Sequence, residues 1–254
     1  MLIDTHSHIY LEDFLNDVDE VIQKAYNNDV KKIILPNIDS GSVKRLNDLN
    51  DVYPHLCYPL MGLHPTSVSS DYKEELQAVE YWLEKRKYYG IGEIGIDLYW
   101  DRTYIKEQQD AFRHQIKLAK SKNLPIVIHL RNSFKEVHEI VNEEQDGSLK
   151  GIFHCFSGNY SEAQKIIDLG FLLGIGGAVT FKNSNLYLGV EKIELKHLVL
   201  ETDSPYLSPV PKRGRRNESS YLVYIAQKVA EIYEIPVEQV AEITTANARN
   251  LFGI

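Results

Sequence analysis

Short apolar runs alternate with amphipathic stretches along almost the whole chain. After an opening run at Leu2 and Ile3, residues 11 to 29 place Leu15, Val18, Val21, Ile22 and Ala25 at helical spacing. Lys32 to Pro36 reads as a second buried strand and residues 42 to 52 as a helix. The alternation continues with strand Leu56 to Leu63, helix 71 to 88, strand Tyr89 to Ile94 and helix 104 to 122. Strand Pro125 to His129, helix 133 to 144, strand Gly151 to Phe153 and helix 160 to 169 follow. Strand Phe171 to Ile175, a short helix near 186 to 190, strand His197 to Leu200 and helices 218 to 234 and 236 to 250 complete it. About eight such alternations are the signature of parallel βαβ units. A chain of 254 residues suits one α/β fold of the (β/α)₈, TIM-like barrel type. A doubly wound open sheet is the competing arrangement, but its Gly-rich phosphate fingerprint does not follow the first strand. No linker or low-complexity segment divides the sequence, so residues 1–254 are predicted as a single domain.

Composition narrows the function classes. Hydrophobic residues make up 43% and charged residues 25%, as in ordinary globular proteins. No apolar stretch reaches membrane-span length, and no basic-then-apolar leader opens the chain, so a cytoplasmic protein without membrane association is expected. Cys57 and Cys155, far apart in sequence and set in apolar runs, are expected as reduced, packed thiols. Lys and Arg total 28 against 36 Asp and Glu, a formal net charge of -8. That balance argues against coating nucleic acid by bulk charge. It leaves room for a local basic patch, or for metal ions that bring the positive charge.

The candidate chemistry sits where the predicted strands end. His6 and His8 share one face if the first strand continues through them. Taken alone they read equally well as two polar residues facing water. His64 follows the third strand, Glu93 ends the fourth, His129 the fifth and His154 the sixth, while Glu201 and Asp203 follow the eighth. In a barrel all of these converge on the C-terminal face. Polar and charged groups gathered in a barrel mouth are expensive unless paired, so their accumulation points to a metal centre. Imidazoles with carboxylates and no cysteine cluster suit borderline divalent ions such as Zn²⁺, Mn²⁺ or Co²⁺, and suit Ca²⁺ poorly. Four histidines and two carboxylates are enough for two ions, with one carboxylate bridging.

His6-Ser7-His8, Gly92-Glu93-Ile94-Gly95, Gln109 with Phe112, His129, His154-Cys155-Phe156-Ser157-Gly158 and Glu201-Thr202-Asp203-Ser204-Pro205 form a joint pattern. Together with Pro211 to Glu218 and Thr245 to Phe252, it resembles the TatD-type metal-dependent deoxyribonucleases of the amidohydrolase superfamily. The resemblance spans essentially the whole chain. It implies a (β/α)₈ barrel with His6, His8, Glu93 and Asp203 around one ion. Glu93, His129 and His154 would hold a second, Glu93 bridging, with Zn²⁺, Mg²⁺ or Mn²⁺ as the metal. It further implies that His64 faces the scissile phosphate, that Asp203 takes a proton from the attacking water, and that Glu201 serves a third ion. Ser204 stands where alanine is often found, a change that touches no ligand.

Substrate features are more open. Lys212, Arg213, Arg215 and Arg216 crowd into five residues of an acidic protein, just past the eighth strand. They read as a phosphate-backbone contact or as a solvated basic loop. Tyr99, Trp100 and Tyr206 lie beyond two of the ligand segments, placed to stack on bases or to pack the rim. Asp4 is expected to orient His6 from behind. The leading expectation is an exonuclease-type hydrolase acting on DNA. The alternatives are an ester or small-molecule hydrolase, including one that removes D-amino acids from transfer RNA, and a binding module without activity.

Overall fold

Eight parallel strands, each followed by helix, close into a barrel in the computed structural model, which describes residues 1–184 and 186–254. The first three are β1 (Leu2–Asp4), β2 (Val30–Leu35) and β3 (Cys57–Pro59), paired in that order. The remaining five pair as β4 (Ile91–Asp97), β5 (Ile126–Arg131), β6 (Gly151–Phe153), β7 (Leu172–Ile175) and β8 (Leu198–Leu200). Two seams complete the ring. Met61 N–H donates to Gly90 O at 3.2 Å and Gly92 N–H to Met61 O at 3.1 Å, joining the segment after β3 to β4. Thr5 N–H donates to Leu200 O at 3.0 Å and Asp203 N–H to His6 O at 2.9 Å, joining β8 to β1.

The outer helices are α1 (Val18–Asn27), α2 (Val43–Val52), α3 (Tyr72–Lys85), α4 (Ile105–Lys122), α5 (Phe134–Glu144), α6 (Tyr160–Asp168), α7 (Leu186–Val190), α8 (Leu222–Tyr233) and α9 (Val237–Phe252). Their apolar faces cover the outer sides of the strands, so strand residues such as Ile33, Leu35, Ile94 and Ile128 are buried with them in one large cluster. A second, smaller cluster of Ile3, Ile34, Leu60, Val127, Ile152 and Val199 fills the inside of the barrel. Ala248 and Phe252 of α9 close it from below, and Asn247 Nδ2 anchors α9 by donating to Leu198 O at 2.7 Å. With the floor sealed, the opposite end remains for chemistry. His129, His154 and Glu201 each lie two residues beyond an inward-facing member of this cluster, which brings them to that end.

The helix expected over 11 to 29 breaks in two. A 3₁₀ turn at Glu12–Phe14 precedes α1, and Leu15 is 60% exposed although helical spacing assigned it to the core. Phe14 is the buried anchor of that turn. The strand expected over Leu56 to Leu63 reduces to Cys57–Pro59, with Leu60 N–H still donating to Leu35 O at 2.8 Å beyond its end.

Candidate metal centre

Glu93 stands at the middle of the barrel mouth, 2% exposed, with its two carboxylate oxygens turned to different partners. Oε2 lies 3.1 Å from His6 Nε2 and 3.4 Å from His8 Nε2. Oε1 lies 2.7 Å from His129 Nδ1, 2.9 Å from His154 Nε2 and 3.3 Å from His64 Nε2. Asp203 Oδ1 joins the first group at 3.8 Å from His6 Nε2 and 3.9 Å from His8 Nε2. Donors about 2.0–2.2 Å from one divalent ion sit roughly 3.3–3.6 Å apart on a tetrahedron, and the observed spacings bracket that range. Among the described residues, three sets of donors lie close enough to share an ion: His6 with His8 and Asp203, His6 with Glu93 and His154, and His64 with Glu93 and His129, so His6 and Glu93 each belong to more than one set.

Tautomers decide whether these donors fit a cation, since a ligating imidazole needs one bare nitrogen. Tyr10 Oη donates to Pro36 O at 2.5 Å, so at 3.0 Å from His8 Nδ1 it accepts that N–H, leaving Nε2 of His8 bare toward the centre. His154 Nδ1–H donates to Glu201 Oε1 at 3.3 Å, which bares Nε2. His129 Nε2–H donates to Asp97 Oδ2 at 2.9 Å, which bares Nδ1. Three of the four histidines are thus locked from behind in the ligating form, the arrangement that metal-binding histidines use. Nδ1 of His6 is buried without a partner, and its ring stacks on His154 at 3.8 Å. His64 is the contrast. Its Nδ1 accepts the Thr66 N–H at 3.1 Å and lies 2.6 Å from Thr66 Oγ1, so Nε2 carries the proton. That makes His64 a hydrogen-bond donor toward the centre, although its position also groups it with Glu93 and His129 as a donor set.

Without a metal ion, the neighbouring carboxylates instead favour a proton on the centre-facing nitrogens of His154 and His129, which a metal would have to displace. Burial works against the charge on Glu93, but the surrounding imidazoles, led by His154, hold its carboxyl well below the usual range. Burial also opposes the charge on His154, yet Glu93 and Glu201 raise it well above an ordinary histidine. His129 is raised likewise, against burial, by its bonds to Asp97 and Glu93. Burial, then His154, pushes His6 well down. Burial lifts Asp203 to about 6. Two backbone positions here are left-handed without being glycine, Cys155 at φ 49° and Asp203 at φ 56°. Such conformations persist only where the surroundings enforce them, and they concentrate at functional sites.

Asp4 and Glu201 lie behind the mouth. Asp4 does not reach the His6 ring. Its carboxylate accepts the Thr202 N–H at 2.9 Å, the Thr202 hydroxyl at 2.6 Å and the His6 N–H at 3.4 Å. Because β1 ends at Asp4, the strand alternation that aligned it with His6 no longer applies. Glu201 belongs to none of the three ligand groups found among the described residues. It sits behind His154, with Oε1 also accepting the Cys155 N–H at 2.5 Å, in space that exists because residue 174 is glycine. A Cβ there would stand 2.2 Å from Glu201 Oε2. Asp97 and Tyr10 were not assigned roles from sequence; an acid inside an apolar strand was the available signal for Asp97.

The basic loop is tied to the site through Asn217, whose Nδ2 donates to Thr202 O at 2.7 Å and Tyr206 O at 2.6 Å. Its four cations differ. Arg216 pairs with Asp17 through two bonds of 2.9 and 2.6 Å and lies 4.2 Å over Phe14. Arg213 lies 4.0 Å over Phe181, and Lys212 is 5.3 Å from the Tyr221 ring. Arg215 is exposed.

Comparison with known proteins agrees with this geometry. The family model described as TatD related DNase matches residues 3–253. YabD of Bacillus subtilis, described as an uncharacterized metal-dependent hydrolase, is 39% identical over 100% of both chains. YcfH of Escherichia coli, with the same description, is 31% identical over 100% of this chain and 96% of its own. The crystal structure of YjjV, a TatD homologue from Escherichia coli K12, superposes with a TM-score of 0.92 at 28% identity, covering 100% and 98% of the two chains. A TatD-family hydrolase from Entamoeba histolytica shares the fold at a TM-score of 0.85 and 22% identity, over 99% and 97%. Carrying the ligand groups on that barrel, the chain belongs to the TatD family of metal-dependent hydrolases.

Proposed function

We propose that this hydrolase is a deoxyribonuclease that cleaves DNA phosphodiester bonds from an exposed end, with two divalent ions of the Zn²⁺, Mg²⁺ or Mn²⁺ class in its barrel mouth. The observation that carries the reading is Glu93, whose Oε2 faces His6 and His8 and whose Oε1 faces His129 and His154. Ions bound there supply Lewis-acid charge opposite a phosphodiester and make water more acidic. The chain's own groups divide the remaining work. His64 offers its Nε2–H to an oxygen of the scissile phosphate. Asp203, buried beside the first group and lifted to about 6, takes a proton from the attacking water. Arg215, with Lys212 and Arg213 beside it, lies along the path of the phosphate backbone. DNA is then a transient partner held by the metal centre and the loop. Both cysteines are free, as befits the cytoplasm, and among the described residues no helix is long and apolar enough to cross a membrane.

Metal-reconstituted protein, tested side by side on end-labelled single- and double-stranded DNA, RNA and D-aminoacyl-tRNA, separates the readings. Progressive shortening of labelled DNA, absent in Glu93→Ala, is the expected result. Deacylation of the tRNA with DNA left intact overturns the nuclease and makes this an ester hydrolase.

A further inference from the structure

On the rim beyond β4, Tyr99 and Trp100 are 52% and 69% exposed, an unusual place to leave two large aromatic side chains. They meet edge to face, with ring centres 4.9 Å apart. Arg131, the last residue of β5, sets its guanidinium carbon 3.8 Å from the Tyr99 ring centre and 5.2 Å from that of Trp100. Among the described residues this guanidinium is exposed and has no acidic partner. The group is also wired to the metal centre. Asp97 Oδ1 accepts the N–H groups of Tyr99 at 2.9 Å and Trp100 at 3.2 Å, while its Oδ2 takes the His129 Nε2–H. One carboxylate therefore fixes both a metal-facing imidazole and the backbone that carries the aromatic pair. Arg131 is two residues beyond His129 on the same strand.

We infer that Trp100, with Arg131 held against Tyr99, forms a nucleobase subsite of the cleft, stacking the base of the nucleotide next to the bond being cut. The inference rests on the nuclease reading above and adds a substrate contact to it. An indole face accepts any base, and an unpaired guanidinium beside it suits the phosphate that accompanies a base. Binding that contacts a base through its π-face is tolerant of sequence, so the subsite selects for the presence of a base and not for its identity.

The test compares kcat/KM of the metal-loaded enzyme on two end-labelled single strands. They are identical except that one carries a base, and the other an abasic residue, at the terminal nucleotides. For wild type the base-bearing strand is favoured by roughly 5- to 150-fold, the range for stacking one base. Trp100→Ala should bring that ratio close to one, and Trp100→Phe should restore most of it. The substitutions leave the backbone bonds to Asp97 in place, so bound metal is measured in each variant and should not change. Arg131→Gln should weaken both strands together and lower the salt dependence by about one unit of slope. A base-to-abasic ratio that Trp100→Ala does not move, or salt dependence that Arg131→Gln does not move, overturns the subsite while the nuclease stands. Failure of wild type to cut either strand overturns the nuclease reading, and the subsite with it.

Discussion

Glu93 and Asp203 are both buried carboxylates in the same mouth, yet their surroundings make them unequal. Glu93 is ringed by imidazoles that keep it ionised against the cost of burial. Asp203 is lifted to about 6 by burial, and the charges of Glu93 and Glu201 add to the lift. Removing either should abolish turnover, since loss of acid–base help alone costs roughly 10²–10⁴ in rate and a lost ligand adds to that. Their effects on the metal-free protein should differ. Asp203→Asn relieves repulsion and should unfold at a denaturant concentration equal to or above that of wild type. Glu93→Ala strands protonated His154 without its main counter-charge and should unfold earlier. Denaturation of both variants in chelator checks this, and the reverse order would remove Glu93 from the middle of the network. The groups behind the ligands give a second expectation. Asp97→Asn keeps a hydrogen-bond acceptor for His129 but not the charge, and Tyr10→Phe releases the N–H of His8. Each should weaken metal binding by about 10–100-fold, read by competition with a chromophoric chelator. Unchanged affinity in both would mean that the imidazoles need no orientation from behind.

At the scale of elements, the period of the apolar residues was enough to place strands and helices, and the failures are local. α2, α7 and β6 fall where spacing puts them, because their apolar positions meet a uniform packed surface. The chain before α1 departs because Phe14, and not Leu15, finds the core, which is settled by contacts distant in sequence. The same distinction governs the site. Ligand residues were legible because histidines and acids at the ends of apolar runs are conspicuous. The roles of Asp97, Tyr10 and Asp4 were not, since each depends on which strands become neighbours when the barrel closes. Asp4 shows this most clearly, tying β1 to the segment after β8 through Thr202. Burial raises its carboxyl from an ordinary 3.8 to about 7. The folded protein therefore keeps this proton to higher pH than the unfolded chain does, and the unfolded chain loses it first. Stability contributed here falls as pH rises from about 4 to about 7 and levels off above. Asp4→Asn lacks the titration, so the advantage of wild type over the variant should shrink across that window in urea unfolding of the metal-free protein. A constant difference between pH about 4 and about 8 would mean that Asp4 is ionised throughout.

The molecule as a whole carries a formal charge of -8 yet is proposed to hold a polyanion, so attraction must be local. Bound divalent ions at the mouth provide one source of positive charge and the loop after β8 provides the other. The loop's cations are not equivalent in the folded protein. Arg216 is engaged in its two hydrogen bonds to Asp17 and its contact with Phe14, which fastens the loop to the turn before α1. Its removal should loosen the loop, and the Asp17 carboxyl, now held below its usual range by Arg216, should return toward an ordinary value. Arg215 is exposed beside it and is the cation available to a phosphate. Arg215→Ala should therefore lower the slope of log affinity against log salt by about one unit. It should raise KM more than it lowers kcat, because a backbone contact is made equally before and during bond breaking. Arg216→Ala should share part of that loss through disorder of the loop, and Asp17→Ala, which removes no cation from the loop, should reproduce that part. The three variants measured on one labelled oligonucleotide across a salt series give the answer. If Asp17→Ala and Arg215→Ala shift the salt slope alike, the loop acts through its shape and not through a charge placed on the phosphate backbone. If neither shifts it, the phosphate is held by the metal centre alone, and the basic loop is a solvated surface of an otherwise acidic barrel.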